Sequence, residues 1–495
     1  MGSSLNLLAF DLGSSSGRSI LGSFDGEKIS LKEIYRFPNA PLKVNGMLYW
    51  DILNIYQNML QGFAKFKDLN AGALSCFGID AWGNDYGLLD KNMQLISNAR
   101  SARHTTLEDM EAVHELVPGL ELYWHTGLAD YSINTLYQIY RRMREGDPAI
   151  ENAHAMLMIP DLLAFFCTGE LHSEYTISTT TMMYNPSVRG WDRELLSRLG
   201  IPERILQPVV MPGTLSGRLK QDIAEELSIG QIPYALTGSH DTASAAAAVP
   251  VAAGKTNYAF CSSGTWSLIG IETEQPILAE EFYNNRFSNE GTVQGGFRPI
   301  NNITGMWILQ ECMKKWRQEG FELTFAELAE AVADLRPYYS IIDVDHPSFF
   351  KTGNMPKKVR EFCRQTGQRI PETPQETALC IYESLALKYR WAMEWLGKIK
   401  DQKIEELYIV GGGAKNKILN QMVADCLGCI VIAGPYEASC MGNLLVQAQA
   451  LGELSGIDEI RQVVRSSIEL ETYHPCTDKS SWDEAYAFFL TLLEN

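Results

Sequence analysis

The chain has 495 residues, of which 45% are hydrophobic and 21% charged, and it carries a formal net charge of −18. The length allows several domains of roughly 100–200 residues each, and the composition is that of a globular protein with a large core. So acidic a balance argues against a nucleic-acid or anionic-membrane partner, whose field would repel it.

No apolar run reaches the ~18–20 residues of a membrane span. The first apolar segment runs straight into Asp11 and Gly13, with no basic stretch and signal core ahead of it, so the cytoplasm is the expected location. Ten cysteines are scattered at spacings unlike a disulfide framework. Cys426 and Cys429 form a lone CxxC without the second pair a zinc site needs, and read as packed thiols at a helix end. Cys363 and Cys380 are candidates for pairing under oxidation.

Taken in order, residues 5–22 read LNLLAFDLGSSSGRSILG, an apolar strand ending in Asp11, a small-residue turn and a second strand. Gly and Ser let backbone N–H groups approach phosphate oxygens closely, which points to Ser14, Ser15, Ser16, Gly17 and the following Arg18. Asp11, at the strand end, is placed to hold a metal-bound water. Residues 52–63 carry the apolar spacing of an amphipathic helix. Residues 76–89, CFGIDAWGNDYGLL, follow as strand, turn and strand. There Asp80, Trp82 and Asp85 beside Gly83 read either as a sugar-gripping surface of ring and carboxylates or as a packed strand with a buried tryptophan.

Residues 100–230 are mostly helical in pattern, and His104 and His125 lack metal-type partners. Residues 234–249, YALTGSHDTASAAAAV, are the focus of the chain: a strand end, a Gly238-Ser239 turn and an alanine-rich helix. Asp241 there is either a helix cap or, where strand gives way to helix, a carboxylate placed for chemistry.

The first hairpin has a second copy. Residues 258–270 read YAFCSSGTWSLIG, with Thr265 where Arg18 stands in the first. Two such copies half a chain apart imply two related domains. Gly254-Lys255-Thr256 resembles the tail of a P-loop, but Val249 occupies the place of its first glycine. Residues 287–310 pass from glycine-broken chain into a helix expected near Thr304; Asn301, Asn302 and Gln310 read as ligand-facing amides or as caps. A long helix is expected over 375–400, and residues 407–416, LYIVGGGAKN, end a strand in three glycines against which an adenine or α-phosphate can lie.

Taken together, FDLGSSSGR, GIDAWGNDYGLLD, MIPDLL with EYTISTTT, TGSHDTASA, SSGTWSLIG, NEG with NITGMWILQ, and VGGGAKN resemble the FGGY family of carbohydrate kinases nearly end to end. The resemblance implies an α/β fold of two actin-like (ribonuclease H-like) ATPase domains, 1–248 on the sugar side and 249–495 on the nucleotide side, flanking a deep interdomain cleft. It implies ATP with Mg²⁺ as phosphoryl donor and a small-molecule ketose as acceptor. L-rhamnulose phosphorylated at C1 is the expected reaction; L-fuculose or a ketopentose, and a non-catalytic sugar-sensing ATPase, are the alternatives. By the same resemblance Asp241 is the general base, and Gly83, His240, Asp241, Thr242 and Asn302 contact the sugar. Ser14 to Arg18 and Thr265 contact phosphates, and Gln310 and Gly412 the nucleotide. Asn84 and Gly87 depart from the bulkier apolar residues common at these places, which bears on the choice of ketose.

Overall fold

A computed structural model describes residues 4–332, 335–476 and 479–493, and the chain forms two compact units. The first takes the chain up to Ala248 together with Glu272–Pro299 and Ala438–Ser467. The second takes Val249–Ile271, Ile300–Glu437 and the chain from Ile468 onward. The division expected at 248/249 is therefore one edge of the first unit, and two later segments fold with it. The reason lies in the helix Ala438–Ala450, which buries Cys440, Met441, Leu444 and Leu445 among others. Its apolar surface is covered by the N-terminal sheet: Leu444 packs on Gly22, and Gln447 Nε2 donates to Leu8 O at 3.0 Å.

In the first unit the sheet order is Thr214–Arg218, Pro233–Leu236, Cys76–Ala81, Leu5–Leu12, Ser16–Phe24, Ile29–Pro38. The two central strands, Leu5–Leu12 and Cys76–Ala81, run parallel and are buried, which is why they read as continuous apolar runs rather than alternating ones. Beneath them Phe10 packs edge-on against Phe63 (4.9 Å between ring centres), Phe63 against Phe77 (5.2 Å), and Phe77 against Tyr234 (5.2 Å). Phe63 comes from the helix Ile52–Asp68, whose first turn is capped by Asp51 accepting the Asn54 N–H.

In the second unit Tyr258–Ser263 pairs antiparallel with Ser267–Gly270, which pairs in turn with residues 300–303. On its other side it lies parallel to Glu406–Val410, followed by Ile430–Ala433 in parallel and Glu471–Tyr473 in antiparallel. From Ile29–Pro38 across to Thr214–Arg218, the first unit shows the same succession: antiparallel twice, parallel twice, antiparallel once. The repetition read from two hairpins thus extends across six strands of each sheet, the second sheet adding Phe287–Gly291 as a seventh.

The helix expected over 375–400 is Pro374–Lys400, opened by a capping box between Thr373 and Glu376. Within this unit Cys363 and Cys380 come together as hydrogen-bonded, buried thiols. Two expectations are refined. Residues 100–230, expected to be mostly helical, also hold short strands: Ala155–Met158 pairs with Tyr86–Leu89, and Thr214–Arg218 edges the main sheet. Segments of four or five residues are too short for periodicity to separate strand from helix or loop. The helix expected near Thr304 begins at Trp307, because residues 297–303 form a strand. Among the described residues, no helix is long and apolar enough to cross a membrane.

Helix Asp241–Ala247 meets helix Ala438–Ala450 at Gly442, where a methyl group would lie 1.8 Å from the Ser244 carbonyl oxygen. That obstacle is backbone, so it cannot rotate away. Gly442→Ala is expected to destabilise the protein by about 1–3 kcal/mol, the range for overpacking a tight core, read as a lower urea midpoint at unchanged m-value.

Candidate active site

Parallel strands place the first unit's polar groups. Asp11 and Asp80 are register partners on neighbouring strands, and Asp11 faces Arg18 across the hairpin, where the two side chains form an ion pair. Asp80 is fully buried and accepts from Asn443 Nδ2 at 2.6 Å; Asn443 is held in turn by Gln447 at 2.7 Å. Burial first, then the charge of Asp11, pushes the Asp80 carboxyl well above the ordinary carboxylate range. Cys440 Sγ lies 3.2 Å from Asp11 Oδ2.

The next parallel strand, Pro233–Leu236, leads into the turn before Asp241. Ser239 O accepts the Ala81 N–H at 2.9 Å, and Ser244 Oγ donates to Gly238 O at 2.7 Å, so both ends of the turn are fixed. Thr176 Oγ1 accepts the His240 N–H at 3.2 Å and donates to Glu174 Oε2 at 2.7 Å. The cap position of the helix belongs to His240, and no side chain caps it. Asp241 is its first residue, and its carboxylate accepts from Thr242 Oγ1 at 3.1 Å. With 32% of its side chain exposed, Asp241 is enclosed yet open on one side. Burial raises its pKa against the pull of the adjacent His240, and Asp11 raises it further. A raised carboxylate that still reaches solvent is suited to accept a proton.

His240 Nε2 lies 3.5 Å from Asp241 Oδ1. Gly83 backs onto the same ring: a methyl group there would lie 3.5 Å from Nε2 and 3.4 Å from Thr180 Oγ1. Trp82 is partly buried, with its ring nitrogen turned to Asp85. Asp85 is buried and accepts from Trp50 Nε1 (2.6 Å), Trp82 Nε1 (2.8 Å) and the Ala102 N–H (2.7 Å), so the reading as a packed strand holds there. In the first hairpin Ser14 and Ser15 are exposed, Ser16 is half-buried, and the Gly13 N–H bonds Ser16 O at 2.9 Å to close the turn. Gly17 is demanded by packing, since a methyl group would strike the Phe37 ring at 2.1 Å.

The second unit carries its own group of predicted residues. Thr265 is exposed at the turn; its Oγ1 donates to Gln310 Oε1 at 3.3 Å, and the Trp307 N–H bonds Thr265 O at 3.1 Å. Ser263 packs directly on the three-glycine turn, where a methyl group at Gly413 would meet its Oγ at 2.0 Å and one at Gly411 its carbonyl at 2.9 Å. Gly411 also has φ +84°, open to glycine at little cost. Gly412 faces open space, with nothing within 4 Å of a methyl group placed there. Asn302 is half-buried opposite Leu268, and its Oδ1 has no hydrogen-bond partner among the described residues.

Two buried residues to which the sequence reading gave no role, Glu290 of the NEG segment and Arg298, surround the Nδ1 side of His240. Nothing in their spacing marks them, because they lie some 50 residues beyond His240 and meet it only through folding. For a metal, the crowding of Asp11, Asp80 and Asp241, each repelling another, leaves a negative field that a cation would relieve. Among the described residues no group of three or more His, Cys, Asp or Glu side chains is placed to hold a metal directly, so a cation here would be held as Mg²⁺ commonly is, by one or two carboxylates with water and phosphate oxygens.

Comparison with known proteins gives the following. Residues 6–248 match the N-terminal domain of the FGGY family of carbohydrate kinases, and residues 259–451 match its C-terminal domain. The chain is 38% identical over 485 residues to the rhamnulokinase of Bacteroides thetaiotaomicron, covering 98% of each chain. It is 36% identical to that of Bacillus subtilis, covering 94% of this chain and 95% of the other. In fold it resembles a ligand-bound xylulose kinase from Lactobacillus acidophilus, with a TM-score of 0.81 at 14% identity over 99% and 98% of the two chains. It also resembles Plasmodium falciparum glycerol kinase with ADP, with a TM-score of 0.79 at 14% identity over 100% and 98%.

Glu174, beneath this site, is fully buried, and burial pushes its carboxyl up to about 7 despite the N–H and hydroxyl groups it accepts from. The folded state therefore keeps a proton that the unfolded chain releases above its ordinary pKa, and this contribution to stability is lost as pH rises through 7. Glu174→Gln removes the titration. Urea unfolding is expected to show the variant gaining on the parent by about 2–3 kcal/mol between pH 5 and pH 8.

Proposed function

The chain belongs to the FGGY family of carbohydrate kinases, and from that premise we propose that it phosphorylates L-rhamnulose at the C1 hydroxyl, with ATP as donor and Asp241 as general base. Relatives named rhamnulokinase, 36–38% identical over nearly the whole chain, support the substrate. The observation that carries the chemistry is the placement of Asp241: half-open, raised in pKa, and at the end of a parallel strand rather than spent as a cap.

In the step, the C1 oxygen forms its bond to the γ-phosphorus as the bond to the ADP oxygen breaks, and the hydroxyl proton passes to an Asp241 carboxylate oxygen. Transfer of this kind asks mainly for positioning and offset charge. Thr242 orients the Asp241 carboxylate through its hydroxyl. His240 and Gly83 border the same space in the first unit and would take sugar hydroxyls; Asn302, in the second unit, is the remaining residue assigned to the sugar by the family resemblance. Ser14 to Arg18 and Thr265 would face phosphates, and Gln310 with the open Gly412 would face the nucleotide. Bound with ATP, Mg²⁺ supplies charge neutralisation at the phosphate oxygens, and Asp11 is the residue that would hold it, through water.

The departure at Gly87 has a packing cause: a methyl group there would meet Leu162 Cδ2 at 2.5 Å. It therefore carries no vote on the ketose. Asn84 adopts φ 72°, a left-handed conformation that asparagine tolerates and a bulky apolar residue does not.

Asp241→Asn is expected to lower kcat by about 10²–10⁴-fold, the usual contribution of a positioned base, with ATP affinity unchanged by calorimetry. A variant turning over like the parent would exclude Asp241 as base. Coupled ADP release across L-rhamnulose, L-fuculose and xylulose is expected to give the highest kcat/KM with L-rhamnulose; a preference for either other sugar reassigns the substrate.

A further inference from the structure

We propose that Glu290 is a positioning residue for this reaction: backed by Arg298, its carboxylate fixes the His240 ring so that Nε2 stays turned toward Asp241 and Gly83. The inference rests on the reading of Asp241 and His240 given above.

The geometry is a chain of three buried groups behind a half-open fourth. Arg298 is 0% exposed, Glu290 6% and His240 8%. Arg298 Nη2 donates to Glu290 Oε2 at 2.9 Å, and the same oxygen lies 3.0 Å from His240 Nδ1. A carboxylate oxygen and a bare ring nitrogen cannot share that distance, so one of them carries a proton. Burial alone would raise the Glu290 pKa, but His240 and Arg298 overcome it and hold the carboxyl below its ordinary value. On this proposal the proton sits on Nδ1, where the Arg298-held carboxylate accepts it, with Arg298 Nη2 itself 3.3 Å from that nitrogen, and Nε2 is left to face Asp241 Oδ1 and the backbone at Gly83. The His240 N–H is fixed separately by Thr176, so ring rotation is the freedom that Glu290 removes. This is the arrangement of a working imidazole oriented by a third group.

Stability does not account for the pair. Arg298 Nε and Nη1 have no hydrogen-bond partner among the described residues. A buried ion pair left partly unsatisfied is weak evidence of net stabilisation, and replacing both members with neutral groups is often harmless. What the pair does visibly is present a fixed charge to Nδ1.

Two variants test this. Glu290→Gln keeps the shape but removes the charge. Because it leaves a buried guanidinium without a counter-ion, the double variant Glu290→Gln/Arg298→Met is made beside it. In both, kcat/KM for the ketose is expected to fall by about 10²-fold, the scale of a misplaced contact, with KM for ATP unchanged. ¹⁵N NMR of the ring, assigned by the signals lost in His240→Asn, is expected to show Nδ1 protonated in the parent and that signature lost in both variants. A folded double variant within about twofold of the parent in kcat/KM, or one with an unaltered ring signature, overturns the proposal. The ring readout needs no turnover, so it stands or falls separately from the Asp241→Asn test of the general base.

Discussion

The first unit's site depends on parallel strands that end at the same level. Asp11 pairs in register with Asp80, and the pairing of Cys76–Ala81 continues past its end, where Ala81 bridges to His240 and donates to Ser239 O. Three chain segments separated by about 70 and 160 residues thereby deliver polar side chains to one edge, the edge where open α/β sheets carry their chemistry. An antiparallel arrangement would have sent alternate strand ends to opposite edges of the sheet and scattered them.

Crowding carboxyls at one edge has an electrostatic consequence. Asp80 and Asp241 are both raised, each partly by Asp11, and Asp11 is answered by Arg18. The site is thus built with excess negative potential, offset at Asp11 by Arg18 from the first Ser/Gly hairpin. Behind it lie neutralising groups placed with little redundancy: Asn443 and Gln447 under Asp80, Thr176 and Glu174 under the His240 backbone, Glu290 and Arg298 under its ring. Each satisfies at least one polar atom that burial would otherwise leave costly.

Glycine and alanine set the approach distances. Gly442 lets two helices touch backbone to backbone, Gly17 admits the Phe37 ring, and Gly413 admits Ser263. The alanine-rich run after Asp241 is explained in the same way: residues 242–247 are all buried, and larger side chains would push the helix, and Asp241 with it, away from the sheet edge.

Much of this was legible in the residues. Both Ser/Gly hairpins, the strand-turn-helix at 234–247, the three-glycine turn, the capped helix at 374–400 and the two-fold repetition all follow from local rules of propensity, turn chemistry and apolar run length, which act within a few residues. Short strands in the 100–230 region and the strand at 297–303 escaped, because segments so brief carry no decisive period. What only the tertiary structure decided is which polar residues serve and which are merely buried. Asp85 and Trp82, open to two readings in the sequence, form a hydrogen-bonded knot, whereas Glu290 and Arg298, given no role by the sequence, meet His240. The sequence determined the elements, since these arise from neighbours along the chain; the contacts between distant segments, which set burial, charge and proton positions, exist only once the chain has closed on itself.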